Sequence, residues 1–378
     1  MLDFSDYPVI DNHCHGIYQN QAFVDVSQWR GLFTESSHPD MQSSHAASSL
    51  FYQRFMRTLA KLYNVENSEH AVLEARNRRS LNEIIAISLA QSGLSAVLVD
   101  QGYPPRSQLV ADNVFTQPGG IQTYPVLRLE PLMEEFVRRY ARVETVYDAW
   151  HAALEDLRGQ GYYGLKSIAA YRTGLKIRRW SQDAVSASFA QARDAVRRTG
   201  TVRLAHKPLL ESLLWIAFDY ANEAELPVQF HVGYGDADCD LRLGNPLHLR
   251  AVFEQDTLQR MPVVLLHECW PFTREGAHMA AVYKNAYLDL SYGIPFLGYQ
   301  EMLAFTKAAI GVAPLSKLLY SSDAVGLPEM YWHSVVVGKG IIARALSDAV
   351  DAGDITTGTA EKAGLAVLAD NARALYRL

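Results

Sequence analysis

Two histidines near the N-terminus are the first side chains whose spacing suggests chemistry. The segment YPVIDNHCHG (7–16) has the pattern of a short β-strand that ends in His13 and His15. Side chains at i and i+2 of a strand point to the same side, so both imidazoles could bind one metal ion while Cys14 faces away. Two nearby histidines are also common as polar surface at a strand end. The pair therefore indicates a metal site only if further ligands follow at other strand ends.

Further metal-competent side chains do follow, each in or directly after an apolar segment. They are Lys166 in GLKSI, His231 in VQFH, His267 in VVLLH and Asp323 in YSSD. Taken singly, each has an ordinary explanation. A histidine in an apolar strand is often a core or rim residue, Asp323 could cap a helix, and Lys166 could form an ion pair or await a substrate carboxylate. Their joint placement at strand ends is what indicates a site.

Lys166 requires separate chemistry, because an ammonium group has no lone pair and repels a cation. Burial and nearby metal ions would lower its pKa, and the neutral amine could then add carbon dioxide. The resulting carbamate is an anionic oxygen ligand that can bridge two metals, together with a hydroxide. The predicted centre thus holds two divalent ions bridged by carboxylated Lys166, with these further ligands: His13, His15 and Asp323 on the first ion, His231 and His267 on the second.

Short apolar or β-branched segments alternate with helical patterns along most of the chain. The strands predicted after the first are Ala96–Asp100, Thr123–Leu127, Gly164–Ile168, Val228–His231, Val263–His267, Ala286–Leu290 and Leu318–Ser321. This alternation is typical of parallel βαβ units, and eight units close a (β/α)8 TIM barrel of the α/β class. The carboxyl ends of barrel strands meet on one face, which would bring the six residues together. A doubly wound open sheet is the alternative, but no GxGxxG turn follows the first strand.

One long segment departs from this alternation. Residues 17–80 are predicted to form an insertion over the barrel mouth, with an irregular Ser-rich part at 36–49 and a helix at Leu50–Tyr63. Farther along, Leu132–Arg158 and Pro246–Gln259 are each predicted as one helical stretch. No inter-domain linker or short repeat stands out, so residues 1–378 are predicted to form a single metal-dependent barrel domain.

Composition directs the expected partners to small molecules. The 378 residues carry a formal net charge of -6 and 49% hydrophobic residues, and no basic run suggests a nucleic-acid partner. No uncharged apolar stretch approaches the ~20 residues of a membrane span, and the start of the sequence lacks a signal-peptide pattern. The three scattered cysteines suggest reduced thiols. We therefore expect a cytoplasmic protein with no membrane partner.

Charged residues beside the predicted ligands are candidates for substrate recognition. Arg172 follows Lys166 closely and could bind a carboxylate bidentately. Asp236 and Asp238 follow the fifth strand and could hold an ammonium group, and Glu130 after the third strand is a similar candidate. Together these residues would suit an amino-acid-like ligand. Solvated loop charge remains the simpler interpretation of any one of them.

The series of ligands resembles the amidohydrolase superfamily along essentially the whole chain. The segments GLKSIAAYRTGL, LPVQFHVGYGDAD, VVLLHECWPFTREG and LLYSSDA resemble one branch of it. That branch includes the amidohydrolase-like domain fused to glutamine-synthetase-like proteins and the subunits of 2-aminoisobutyrate hydroxylase. The resemblance implies hydrolysis of C–N or ester bonds by a metal-bridging hydroxide, with Asp323 as the proton acceptor. It also implies a homo-oligomer, with a related subunit as a further option.

Several functions stay open at this point. The leading hypothesis is hydrolysis of an amide bond in a small amino-acid-like substrate, such as a γ-glutamyl amide, with zinc as the metal. A dinuclear iron or manganese oxygenase that hydroxylates a small amino acid is the alternative, because a nitrogen and oxygen ligand set suits those metals as well. Non-oxidative decarboxylation is a third hypothesis. A non-catalytic scaffold is the fourth, and the complete ligand set argues against it.

Overall fold

Eight parallel strands form one sheet in the computed structural model, which describes residues 1–116 and 120–378. The strands pair in chain order: β1 Val9–Cys14, β2 Leu94–Asp100, β3 Gln122–Arg128, β4 Gly164–Ser167, β5 Val228–Phe230, β6 Val263–Leu265, β7 Ala286–Ser291 and β8 Leu318–Ser321. Consecutive strands are parallel because a helical crossover returns the chain to the same end of the sheet. The predicted (β/α)8 barrel is confirmed.

The first and last strands meet at the carboxyl end of the barrel. The Asp323 N–H donates to the His13 carbonyl at 3.0 Å, and the His15 N–H donates to the carbonyl of the residue after Asp323 at 2.8 Å. Asp11 adds to this seam, since its carboxylate accepts a hydrogen bond from the Ser322 N–H at 2.9 Å. The hydrogen bonds that join the two strands therefore also fix the backbone of three predicted ligands.

Helices surround the sheet and also form the insertion after β1. In the described residues they are α1 Val26–Gly31, α2 Leu50–Tyr63, α3 Glu69–Asn77, α4 Leu81–Ala90, α5 Leu129–Arg139, α6 Val143–Leu154, α7 Gln182–Thr199, α8 Lys207–Ala224, α9 Arg250–Phe253, α10 Thr273–Val282, α11 Tyr299–Ile310, α12 Pro328–Asp351, α13 Thr357–Leu365 and α14 Asn371–Tyr376. Serine side chains cap α2, α3, α4 and α7 by accepting first-turn N–H groups. None of these helices has the length and hydropathy needed to cross a bilayer.

Two of the predicted helices have the wrong bounds. The stretch 132–158 holds two helices, because Tyr140 adopts an extended backbone conformation (φ -106°, ψ 141°) that ends α5. The second helix, α6, ends at Leu154. The stretch 246–259 holds only short turns, with a 3-10 turn at Pro246–Leu249 leading into the single turn of α9. Apolar residues continue at helical spacing through both breaks, so this spacing could not show where the helices end.

The insertion, residues 17–80 between β1 and β2, carries α1 to α3 and contributes residues to the cavity at the barrel mouth. The residues of this insertion that line the cavity at the mouth include Leu32, Thr34 and Glu35. An aromatic cluster forms its interior, in which the ring centroid of Phe33 lies 5.2 Å from that of Trp29 and 4.9 Å from that of Phe55. Packing of these large apolar rings stabilises a segment that has no strand of the sheet to hold it.

A buried ion pair joins the insertion to the barrel. The Nε atom of Arg76, in α3, lies 2.5 Å from Oε1 of Glu329, in α12, and both side chains are fully buried. The Tyr63 hydroxyl donates to the same carboxylate oxygen at 2.8 Å. Because water cannot reach this pair, each charge depends on its protein partners.

Replacement of Arg76 with Met should lower the free energy of unfolding by about 3 kcal/mol, because Glu329 would keep a buried charge without its partner. Equilibrium urea denaturation measures the change. The matched control is Arg78→Met, because Arg78 pairs with Glu74 at the surface and its loss should have little effect. Equal stability of the two variants would mean that the buried pair does not anchor the insertion.

Candidate metal centre

The carboxyl ends of the strands enclose a cavity of about 420 Å³. All six predicted ligands line it: His13, His15, Lys166, His231, His267 and Asp323. The barrel explains this convergence, because parallel strands end on the same face and each ligand lies at or just beyond such an end. The structure therefore brings together residues that are more than three hundred positions apart in the sequence.

Asp323 lies at the centre of this group. Its Oδ1 atom is 3.5 Å from Nε2 of both His13 and His15. Its Oδ2 atom is 3.4 Å from Nδ1 of His267. Lys166 lies in the same group, with Nζ 3.2 Å from the His13 Nε2 atom. Ligand atoms of His13, His267 and Asp323 all lie within 4.8 Å of one another, close enough to hold one metal ion.

His13, in β1, and His15, directly after this strand, each use the Nδ1 nitrogen for a hydrogen bond. The Nδ1 of His13 donates to Oε1 of Gln229 at 2.9 Å, and the Nδ1 of His15 donates to the Tyr103 carbonyl at 3.0 Å. The Nε2 atoms, which face Asp323, are therefore left with lone pairs. Metal-binding histidines are held in the same way, with the second ring nitrogen fixed by an acceptor.

The remaining two histidines also keep a nitrogen free. His231 donates from Nε2 to the Tyr234 carbonyl, which leaves its Nδ1 as a ligand atom. The Nδ1 of His267 is buried without a hydrogen-bond partner among the described residues. The two ring centroids are 4.6 Å apart. A buried polar atom without a partner is costly, and a metal ion would satisfy it, so these residues fit a metal ion.

Burial keeps three of the imidazoles neutral. It lowers the pKa of His13 and His231 well below the usual value, and it lowers the pKa of His267 to about 3, with the Lys166 charge adding to each effect. Burial alone would raise the pKa of Asp323, but the neighbouring histidines, His267 foremost, hold it well below its usual range. Near neutral pH the cavity therefore presents the neutral rings and the carboxylate that divalent metals require.

Lys166 is almost fully buried in the same cavity. Burial lowers its pKa to about 8, with the Arg128 charge adding to this effect and the Asp100 charge opposing it. Among the described residues, no carboxylate forms an ion pair with it, and its close contact is with His13. A fraction of the amine is therefore neutral near physiological pH, and the neutral amine is the form that can add carbon dioxide.

Asp100 and Tyr234 also face the ligands, although sequence reasoning did not single them out. Asp100 ends β2, and its carboxylate forms a second metal-competent group with His13 and His15. It is already paired with Arg128, whose Nη2 lies 2.6 Å away. The Tyr234 hydroxyl donates to Oδ2 of Asp323 and so orients that carboxylate. The strand-end position of Asp100 was an available signal, whereas nothing local indicated Tyr234.

The four predicted substrate residues are placed differently from one another. Arg172, Asp236 and Asp238 line the cavity, whereas Glu130 is not among its lining residues. Glu130 is fully buried in the barrel wall, where it accepts hydrogen bonds from the Ser167 hydroxyl at 2.7 Å and from the N–H of the following residue at 2.9 Å. These bonds hold its carboxylate at the end of β4. The structure therefore does not bring Glu130 together with the other three residues, and its contact with substrate stays a prediction.

Replacement of Gln229 with Leu should weaken metal binding about 10- to 100-fold, because His13 would lose the acceptor that orients its ring. Competition with a chromophoric chelator measures the affinity. Gln53→Leu is the control, since the exposed side chain of Gln53, on α2, donates to a carbonyl of the insertion and lies away from the cavity lining. Unchanged affinity in Gln229→Leu would show that the hydrogen bond does not support a metal ligand.

Comparison with known sequences places this cavity in a family context. The family model described as Amidohydrolase matches residues 195–378, the part that holds His231, His267 and Asp323. The chain is also 25% identical over 408 residues to protein fluG of Emericella nidulans. That alignment covers 98% of this chain and 46% of the relative, so the chain spans about half the length of the curated relative that it matches.

Solved structures share the barrel. A Lactobacillus casei ATCC 334 protein that bears the provisional name metal-dependent hydrolase has a TM-score of 0.87 at 26% identity, with 100% of this chain and 98% of that chain covered. Uronate isomerase from Thermotoga maritima has a TM-score of 0.70 at 13% identity, with 98% of this chain and 95% of that chain covered. At this identity the similarity shows a common fold and nothing about function. The resemblance to the amidohydrolase superfamily is therefore confirmed, with residues 195–378 as the segment that matches the amidohydrolase family model.

Proposed function

We propose that the chain is a metal-dependent hydrolase that cleaves the amide C–N bond of a small amino-acid-like substrate. The observation that carries this proposal is the convergence of four histidines, a lysine and an aspartate on one cavity at the carboxyl end of the barrel. The family match and the name of the Lactobacillus casei relative support hydrolysis as the reaction type. The three unpaired cysteines support a reducing compartment, so we also propose a cytoplasmic location.

The proposed cofactor is a pair of divalent ions, zinc in the first instance. When bound, these ions would lower the pKa of a water molecule and polarise the substrate carbonyl. The residues that would hold them are His13, His15, His231, His267, Asp323 and carboxylated Lys166. Carboxylation would convert the buried amine of Lys166 into an anionic oxygen donor, which the buried position next to His13 favours.

Asp323 is the residue that we propose for proton transfer. Its carboxylate is anionic near neutral pH and lies between the imidazoles of His15 and His267. An anion in this position can accept a proton from the water nucleophile and then deliver it to the departing amine. The Tyr234 hydroxyl holds Oδ2, so the carboxylate keeps one orientation through both steps.

Hydrolysis assays with metal-loaded protein test the proposal. Chromogenic p-nitroanilides of several amino acids, γ-glutamyl-p-nitroanilide among them, would be incubated with protein loaded with zinc, manganese or iron, and with stripped protein as the control. We expect release of p-nitroaniline that requires the added metal. Absence of amide hydrolysis with every metal, together with oxygen consumption by the iron or manganese form, would overturn the proposal in favour of the oxygenase hypothesis.

A further inference from the structure

The insertion brings a carboxylate into the substrate cavity. Glu35 follows α1 and lines the cavity together with Tyr171 and Asp236. The backbone around it is fixed, because Phe33 is buried in the aromatic cluster of the insertion and the N–H after Glu35 donates to Thr34 Oγ1 at 3.2 Å. The backbone that carries Glu35 is therefore anchored in the insertion, and its side chain lines the cavity.

The arginines that line the cavity already have carboxylate partners. The pairs are Arg128 with Asp100 at 2.6 Å, Arg172 with Glu134 at 3.3 Å and Arg203 with Asp238 at 2.6 Å. Each pair offsets the positive charge of its arginine locally. Asp238, predicted from the sequence to hold an ammonium group, is thus engaged by a residue of the protein itself.

Glu35 and Asp236 lack such a partner among the described residues. The Oδ1 atom of Asp236 accepts a hydrogen bond from the Asp238 N–H at 2.9 Å, but no described cation pairs with it. Glu35 has neither a hydrogen bond nor an ion pair to a described side chain. Burial raises the pKa of Glu35 to about 7, and the negative charges of Asp323 and Asp236 add to this effect. Neither carboxylate is thus paired with a described cation, so both can pair with a positively charged group of a ligand.

An aromatic ring lines the cavity that contains these two carboxylates. Tyr171 lines the same cavity as Glu35 and Asp236. Burial raises the pKa of its hydroxyl, and the negative charge of Glu35 adds to this effect. The Tyr171 ring centroid lies 4.5 Å from that of His231, so this ring connects the mouth with the candidate metal centre. Aromatic faces are favourable surroundings for ammonium groups.

We propose that Glu35, together with Asp236, binds an ammonium group of the substrate at the cavity mouth. The substrate is then an amino-acid amide, and an uncharged or purely anionic amide of the same shape is a poorer one. This inference rests on the proposed function for the reaction, whereas the binding of the ammonium group does not depend on hydrolysis. Specificity is thereby assigned to a residue of the insertion, while the barrel supplies the ligands of the metal.

Kinetics on two matched substrates test the role of Glu35. γ-Glutamyl-p-nitroanilide carries the ammonium group, and glutaryl-p-nitroanilide lacks it. In the metal-loaded enzyme, Glu35→Gln should raise KM for the first substrate about tenfold or more, with little change in its kcat and no change for the second substrate. Glu66→Gln, which changes an exposed glutamate of the same insertion, is the control and should affect neither. Equal losses on both substrates, or no loss on either, would overturn the inference.

A binding measurement separates this inference from the proposed function. Metal-loaded wild-type protein and Glu35→Gln would be titrated calorimetrically with glutamate and with glutarate, which differ only in the amino group. We expect the wild type to bind glutamate about tenfold more tightly or better, and the variant to lose this preference, whether or not any amide is hydrolysed. Equal binding of both ligands by the wild type, or binding of neither, would overturn the inference, and amide hydrolysis in the same preparation would leave the proposed function standing.

Discussion

Replacement of Lys166 with Ala should lower kcat/KM by about a thousandfold or more, because the proposed carbamate would be lost with the amine that carries it. The structure places this amine 3.2 Å from the His13 Nε2 atom, in a cavity where it has no carboxylate partner among the described residues. Steady-state kinetics on the best amide and elemental analysis of the same preparation measure the effect. Activity and bound metal should fall together.

Small carboxylates and a surface variant distinguish a lost ligand from a damaged fold. Acetate or propionate can enter the space left by the Lys166 side chain and supply an oxygen donor, so we expect partial recovery of metal binding and activity. Lys61→Ala, in the exposed part of α2, should behave as the wild type. Full metal content and full activity in Lys166→Ala would remove the lysine from the centre.

Replacement of Asp323 with Asn should lower kcat by about a thousandfold, because an amide cannot accept the proton of the nucleophile. The substitution preserves shape, and the barrel seam uses the backbone N–H of Asp323 toward the His13 carbonyl, so the fold should be retained. The amide oxygen remains available as a ligand, and we expect much of the metal to stay bound. Kinetics and elemental analysis separate the two roles of this residue.

The control for this variant is Asp351→Asn, which changes an exposed carboxylate at the end of α12 and should leave kcat unchanged. Full activity of Asp323→Asn with a full complement of metal would contradict the proton-transfer role. Loss of all metal in parallel with activity would restrict Asp323 to the role of a ligand.

The barrel and the convergence of its ligands could be predicted from the sequence for a physical reason. Apolar segments that alternate with helices predict parallel strands, and a closed parallel barrel places every carboxyl strand end on one face. The two-residue period of a strand was enough to predict that His13 and His15 point to the same side. The position of Asp323 after β8 was enough to predict its place at the barrel mouth. Local patterns therefore sufficed wherever the strand geometry itself directs the side chain.

Local patterns could not predict the positions of residues that depend on tertiary packing. Glu35 lies outside any helix or strand, and its place at the mouth follows from the packing of Phe33 with rings distant in the sequence. Glu130 follows a strand, as a substrate residue would, but a hydrogen bond from the Ser167 hydroxyl holds it in the wall. Tyr140 ends α5 inside a continuous apolar pattern. For Glu35 and Glu130, contacts between distant segments decide where the side chain lies.

The six side chains at the barrel mouth are proposed to form a binuclear metal centre. Elemental analysis of protein purified without added metal and without oxygen tests it most directly. We predict about two divalent ions per chain in the wild type and a clear loss in Lys166→Ala. Zinc would support the hydrolase, and iron with or without manganese would favour the oxygenase. Absence of bound metal, with none taken up on titration, would contradict the claim.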